Sequence, residues 1–312
     1  MKQAVRQTRT HIGELLARHG VNPRHDLGQN FLIDLNLLEF LVAQAELGSD
    51  DLVLEVGTGT GGLTAFLAER AGSVIAVEVD SRMRQLTAAA VDGFTNVTIL
   101  GCDVLKNKNH FARPVLDALD AATADRSKGL KLVANLPYCV ATPVISNLLA
   151  SNYAWERMVV TIQLELAERM TAQAGDSSYS ALTVWLLSQC RIELLKRLPA
   201  EVFWPRPKVE SAMIRITPDA ERRQRIRDRA FLHEFLRGVF QQRRKMLRNV
   251  LVSQFKNELN RSQIDAVLES QQLGERARAE ELAPPILVDL ANALFERIQQ
   301  TRGAEHSSPR DL

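Results

Sequence analysis

Only three cysteines occur in the 312 residues, Cys102, Cys139 and Cys190, an odd number at wide spacing. They form neither a disulfide framework nor a Cys-x-x-Cys metal site, so a cytoplasmic, reducing setting and no bound metal are expected. No stretch approaches eighteen consecutive apolar residues, which excludes a helical membrane span. The first twenty residues carry Lys2, Arg6, Arg9 and Arg18 but no unbroken apolar run, so no secretory signal is expected there. Glu14 interrupts a mitochondrial-type presequence, while Ile12, Leu15, Leu16 and His19 at helical spacing predict an ordinary first helix. No internal repeat is present. Net charge is small too: 39 Lys/Arg against 37 Asp/Glu leave +2. With 46% hydrophobic and 24% charged residues, the composition excludes a disordered or fibrous chain. The length fits one large domain or two smaller ones.

The near-neutral balance is uneven. Asp219–Arg248 holds ten Lys/Arg and four Asp/Glu, whereas the remainder holds 29 and 33. Such a segment is either a polyanion-facing surface or a solvated helix face. Upstream, short β-branched runs (Leu52–Val56, Val74–Val77, Val97–Leu100, Leu132–Ala134, Met158–Ile162 and Ala212–Ile216) alternate with helical stretches such as Leu63–Ala71 and Ser81–Val91. That alternation predicts an α/β fold, a mostly parallel Rossmann-like sheet, with ligands outside the carboxyl ends of its strands. After Pro218 the strand signals vanish, and Arg222–Val252, Ser262–Ser270 and Ala283–Gln299 read as helices of a smaller all-α C-terminal domain. The expected organisation is an N-terminal segment over 1–49, the sheet domain over 50–217, a helical domain over 218–300 and a disordered tail over 301–312.

Leu52-Val53-Leu54-Glu55-Val56 runs into Gly57-Thr58-Gly59-Thr60-Gly61-Gly62 and then a helix. Glycines there let the backbone turn sharply and a ligand approach closely. Gly57, Gly59 and Gly62 satisfy a dinucleotide fingerprint. Gly57, Gly59 and Gly61 after Glu55 equally satisfy the E-x-G-x-G-x-G pattern of S-adenosylmethionine (SAM) methyltransferases. Both place an acid at the end of the next strand to grip ribose, where Glu78 lies with Asp80 just after it. The turn alone does not separate nicotinamide from SAM. Asp103, after the third strand, is an adenine contact in the SAM reading or simply a turn cap.

The end of the fourth strand separates the readings. Asn135-Leu136-Pro137-Tyr138 has no evident use in hydride transfer but suits an amino-methylating enzyme. Adenine's exocyclic nitrogen is a poor nucleophile because its lone pair is delocalised into the ring. Hydrogen bonds from its two N–H groups to the Asn135 amide oxygen and the Leu136 carbonyl favour a more tetrahedral nitrogen. Pro137 stiffens the loop, and Tyr138 offers a face on which an extruded base can stack.

On these residues the chain resembles the KsgA (RsmA) family of small-subunit ribosomal RNA adenine dimethyltransferases, over nearly its whole length. Gly28-Gln29-Asn30-Phe31-Leu32-Ile33-Asp34 is similar to that family's G-Q-N-F-L motif. Asn135-Leu136-Pro137-Tyr138 with Thr142-Pro143 is similar to N-L-P-Y-x-I-x-T-P. Phe203-Trp204-Pro205-Arg206-Pro207-Lys208-Val209-Glu210-Ser211-Ala212 resembles F-x-P-x-P-K-V-[DE]-S-A, and Phe240–Lys245 resembles F-x-x-R-R-K. The resemblance implies that Asn30, Leu32, Gly57, Glu78, Asp103 and Asn135 line a SAM site. It also implies that Phe203 stacks on the target adenine opposite Tyr138, although an aromatic beside prolines is as often a packing plug. Lys208 is a phosphate contact or a solvated lysine; Arg243, Arg244 and Lys245 are the candidate RNA contacts on a basic helix.

The implied activity is transfer of two methyls to N6 of each of two adjacent adenosines near the 3′ end of 16S rRNA. The implied partner is the small ribosomal subunit or its precursor, with the protein acting as a monomer. An Erm-type enzyme of large-subunit rRNA and a non-catalytic RNA-binding assembly factor are the rivals. The chain departs from the family at Thr58, where a proline is usual, at Arg24-His25-Asp26-Leu27, which is less basic, at Leu164, and slightly at Val140 and Ala141.

Overall fold

The computed structural model describes residues 4, 6–24, 27–124 and 129–307; His25 and Asp26 lie outside the described residues. Seven strands form one sheet: β1 (Asp51–Val56), β2 (Ser73–Val77), β3 (Val97–Leu100), β4 (Gly129–Asn135), β5 (Trp155–Gln163), β6 (Cys190–Leu198) and β7 (Ser211–Pro218). Their order is β3-β2-β1-β4-β5-β7-β6. Pairs β3–β2, β2–β1, β1–β4 and β4–β5 are parallel, and β7 runs antiparallel to β5. Central strands of such a sheet are covered on both faces and read as unbroken apolar runs. All six residues of β1 are accordingly buried. The two edge strands, β3 and β6, are the exceptions, and β6 is the more polar. Arg191, Glu193, Lys196 and Arg197 are exposed along it, so its sequence carries no apolar run and gives no strand signal.

Helices Gly62–Ala68, Ser81–Ala90, Arg113–Ala122, Tyr138–Ala150 and Leu164–Thr171 follow β1 to β5. The chain leaves β1 for β2 and β3 on one side, then resumes with β4 on the other side of β1. This reversal of strand order opens a crevice beyond the carboxyl ends of β1 and β4. The glycine turn and Asn135 stand at those two ends.

Ahead of the sheet, Arg9–Arg18 and Leu35–Gln44 are helical. Asp34 caps the second of them, accepting from the N–H groups of Asn36 and Leu37 at 2.9 and 3.1 Å. The last acid of the Gly28–Asp34 motif thus serves local structure. Phe31–Leu32 forms a short antiparallel ladder with Phe203–Trp204, extended by the Ile33 N–H donating to the Val202 carbonyl at 2.9 Å.

The chain divides into two compact units: Met1–Ala167 with Ile192–Thr217, and Glu168–Arg191 with Pro218–Leu312. The change of composition at Pro218 gives no hint that residues 168–191 cluster with the C-terminal helices. Their side chains explain it. Tyr179 is fully buried, donates to the Leu282 carbonyl at 2.7 Å and meets the Phe240 ring edge-on at 5.7 Å. Trp185 packs on His233 with ring centroids 4.9 Å apart. The stretch expected as one helix over 222–252 is three, Ala220–Gln224, Arg229–Gln241 and Leu247–Gln254; Asp219 and Asp228 cap the first two, and the third starts after Met246 without a side-chain cap. The final helix, Pro284–Ser307, runs past Thr301 into the segment expected to be disordered, and 308–312 lie outside the described residues. Among the described residues no helix is long and apolar enough to cross a membrane.

Candidate active site

The glycine turn is left-handed at Gly57, Gly59 and Gly61, with φ of 78°, 56° and 78°. L residues avoid that region, and two of these positions also face the cleft at close range. A Cβ on Gly57 would stand 2.8 Å from the Pro137 ring, and one on Gly59 would stand 2.8 Å from the Phe31 ring. The turn is therefore in contact with both the β4 loop and the Gly28–Asp34 motif. Gly61 lies against the next helix, where a Cβ would meet Thr87 Cα at 2.7 Å. It serves packing and is absent from the cleft wall.

Threonine hydroxyls brace the turn. Thr58 Oγ1 and Thr87 Oγ1 are 2.7 Å apart, and the Thr87 hydroxyl donates to the Gly59 carbonyl at 3.1 Å. The departure from proline at position 58 is thus accommodated by a satisfied buried hydroxyl pair. Gln7 reaches in from the N-terminal segment. Its Nε2 donates to the Thr60 carbonyl at 3.0 Å and its Oε1 accepts from Thr60 Oγ1 at 2.5 Å. Neither Gln7 nor the threonine brace carries a sequence signal, since each acts through a partner 28 or 53 residues away.

Of the two acids after β2, Glu78 enters the cleft wall and Asp80 does not. Glu78 accepts from the Gly59 N–H at 2.9 Å and the Asp80 N–H at 3.0 Å, and burial raises its pKa. Asp80 caps Ser81–Ala90 and accepts from Gln29 Nε2 at 3.1 Å. Asp103 is exposed in the wall and also caps its own turn, accepting from the Leu105 N–H at 2.9 Å. Val79, missed in the sequence, is 51% exposed in the same wall and offers an apolar surface beside Glu78.

At the end of β4, Asn135 Nδ2 donates to the Asn30 carbonyl at 2.8 Å. Its Oδ1 has no partner among the described residues and remains available as an acceptor. The Leu136 N–H is held by the Thr161 carbonyl at 3.1 Å, which fixes that peptide. Pro137 precedes the Tyr138–Ala150 helix, and the Tyr138 hydroxyl lies 2.7 Å from Ser211 Oγ. Asn30, Leu32, Glu55, Gly57, Gly59, Glu78, Asp103, Asn135, Leu136, Pro137 and Tyr138 all meet in one open cleft.

Phe203 does not reach this wall. It is 2% exposed, packed in the core cluster that includes Leu32, Leu198 and Met213, because its place in the ladder opposite Leu32 turns it inward. In this conformation Phe203 packs in the core, and the aromatic rings lining the cleft are those of Phe31 and Tyr138.

Lys208 is exposed, as are Arg244 and Lys245. The basic triplet lies in the turn after Arg229–Gln241 rather than on a helix. Arg243 is committed internally: Nη1 donates to the Tyr179 carbonyl at 2.6 Å, Nη2 to the Ser177 carbonyl at 3.0 Å, and Nε lies 3.3 Å from Glu280. The three residues should therefore separate in experiment. Alanine at Arg244 or Lys245 is expected to lower the slope of log affinity for RNA against log salt by about one each. Alanine at Arg243 should instead lower the melting temperature. A salt slope unchanged in Arg244→Ala and Lys245→Ala would remove both from the RNA interface.

A profile of the ribosomal RNA adenine dimethylase family matches residues 20–287, a span that includes every cleft motif from Gly28 to Tyr138. The ribosomal RNA small subunit methyltransferase A of Halothermothrix orenii is 35% identical over 94% of this chain and 95% of its own length. That of Geobacillus thermodenitrificans is 37% identical over 90% and 94%. That of Pelotomaculum thermopropionicum is 39% identical over 78% and 81%. Among solved structures, a dimethyladenosine transferase from Plasmodium falciparum has a TM-score of 0.71 at 24% identity, covering 85% of this chain and 97% of that one. The 23S rRNA methyltransferase ErmE has a TM-score of 0.58 at 24% identity, covering 86% and 100%. These two share the fold, a Rossmann-like methyltransferase sheet, which does not by itself choose between RNA targets. With the family profile and full-length relatives in agreement, the chain belongs to the ribosomal RNA adenine dimethylase family.

Proposed function

We propose that this chain is a SAM-dependent methyltransferase that dimethylates N6 of two adjacent adenosines in the 3′-terminal hairpin of 16S rRNA. It would act as a monomer on the small subunit or its precursor. One observation carries the reading: Asn135, anchored through Nδ2, keeps Oδ1 available in the same cleft as the glycine turn.

The described wall residues fit SAM better than a nicotinamide dinucleotide. They include Glu55, Glu78 and Asp103 and no lysine, arginine or histidine. A pyrophosphate would meet carboxylates with no side-chain cation, whereas a sulfonium is favoured there. On this reading Glu78 accepts from ribose hydroxyls, Val79 covers the adenine of the cofactor, and Asp103 accepts from its amine. The glycine turn admits the ligand where a Cβ would fill the space. When bound, SAM supplies the electrophilic methyl group.

The remaining work falls to the chain. Tyr138 stacks the extruded base. Asn135 Oδ1 and the Leu136 carbonyl accept from the two N6 protons and draw the nitrogen toward a tetrahedral geometry, turning its lone pair toward the donor. No general base is needed, because the methylated nitrogen loses its proton to water. Stacking by Phe203 would require the Phe31–Trp204 ladder to part.

Mass mapping of methylated adenosines in small and large subunits incubated with the protein and labelled SAM tests this reading. The expected product is dimethyladenosine at two neighbouring positions near the 3′ end of small-subunit rRNA. Label confined to large-subunit rRNA would favour the Erm-type alternative, and no label in either would leave the assembly-factor alternative.

A further inference from the structure

Glu55 occupies an unusual position. It is the penultimate residue of β1, is 1% exposed, and belongs to the cleft wall. Its Oε2 is buried with no hydrogen-bond partner. A carboxylate kept in that state is costly unless a cation or a proton neutralises it. Charged and titratable groups facing the cleft from the neighbouring elements offer no cation. After β2 stands Glu78, with Asp80 just beyond it; after β3 stand Cys102 and Asp103; after β4 stand Tyr138 and Cys139. Thr64, on the Gly62–Ala68 helix that follows β1, is uncharged. Glu78 is already committed to two backbone N–H groups.

Resting on the SAM reading above, we propose that Glu55 holds a proton in the cofactor-free protein and releases it when a cationic sulfonium enters the cleft. The site thereby distinguishes the charged methyl donor from its uncharged thioether product, S-adenosylhomocysteine. Burial pushes the Glu55 carboxyl up to about 8, with the Thr64 hydroxyl opposing the rise and the nearby Glu78 adding to it. The sign follows. Near neutral pH the acid is mostly protonated, and a cation stabilises only its ionised form. Donor affinity therefore rises with pH toward that value, while product affinity, lacking the sulfur charge, rises less. Four transfers per rRNA require four product departures, and this difference favours each one. The ligands share their amino-acid carboxylate and ammonium, so their difference isolates the sulfur charge.

Calorimetric titration of the full-length protein with SAM and with S-adenosylhomocysteine, in buffers of different ionisation enthalpy, counts the protons released. At pH 7, SAM should release about half a proton more than the product, and the SAM-to-product affinity ratio should rise about fivefold between pH 6 and pH 8. Glu55→Gln should abolish both differences; should that variant fail to fold, the wild-type proton counts decide. Equal proton release by the two ligands, a pH-independent ratio, or an undiminished difference in Glu55→Gln overturns the proposal while leaving the SAM reading intact. Absence of any binding by SAM overturns both.

Discussion

Asn135→Ala is expected to lower methyl transfer by about 10²–10³-fold, the scale seen when one preorganised electrostatic partner is removed from a reacting group. SAM affinity should change only a few-fold, because the glycine turn, Glu78 and Val79 remain. The expected loss follows from geometry. Asn135 spends its nitrogen on the Asn30 carbonyl, which leaves its oxygen without a partner among the described residues and able to accept from the amine proposed to enter the cleft. Asn135→Asp sharpens the test, since it keeps an acceptor but loses the donor to Asn30. Its carboxylate would be repelled by the Asn30 carbonyl and lose its orientation, so turnover should fall in this variant too. Single-turnover rates beside a calorimetric SAM titration separate the two effects. An unchanged rate in Asn135→Ala would remove the residue from the mechanism.

Gly57→Ala should do the opposite and damage cofactor binding first. The alanine must adopt φ of 78°, costing about 1–2 kcal/mol, and its Cβ would stand 2.8 Å from a proline ring with no flexible end to swing aside. Relieving the clash moves Pro137, and with it the Asn135–Tyr138 loop. SAM affinity is expected to fall about 10- to 100-fold, with a further loss of turnover. Gly20→Ala is the matched control: φ there is 61°, but nothing lies within 4 Å of the added Cβ. It should lose about 1 kcal/mol of stability and bind SAM normally. Wild-type SAM affinity in Gly57→Ala would show that the turn is not the cofactor cradle.

The parts legible in the sequence were those with local causes. Six strands announce themselves through β-branched apolar runs; β1, β2, β4 and β5 are buried between helices, while edge strand β3, with no buried residue, still matches the expected Val97–Leu100 without change. Glycines are readable because positive φ and close approach leave few alternatives. What escaped depends on distant partners. Strand β6 is hidden by its charged edge, and residues 168–191 are assigned by Tyr179 and Trp185 to helices far along the chain. Gln7 looks like any polar residue until Thr60 is brought beside it. Phe203 shows the converse limit: its proline-rich surroundings fix an extended backbone, but the pairing with Leu32 decides which way the ring faces.

The central claim is spatial, that one cleft holds a purine amine against Asn135 while the glycine turn holds the methyl donor. A crystal structure of the protein with S-adenosylhomocysteine and adenosine monophosphate tests it most directly. The account predicts the adenosine N6 within about 3.2 Å of Asn135 Oδ1, its ring stacked on Tyr138, and the thioether across the glycine turn. A purine bound with N6 beyond hydrogen-bond reach of Asn135, or a nucleoside lying outside the cleft, would contradict it.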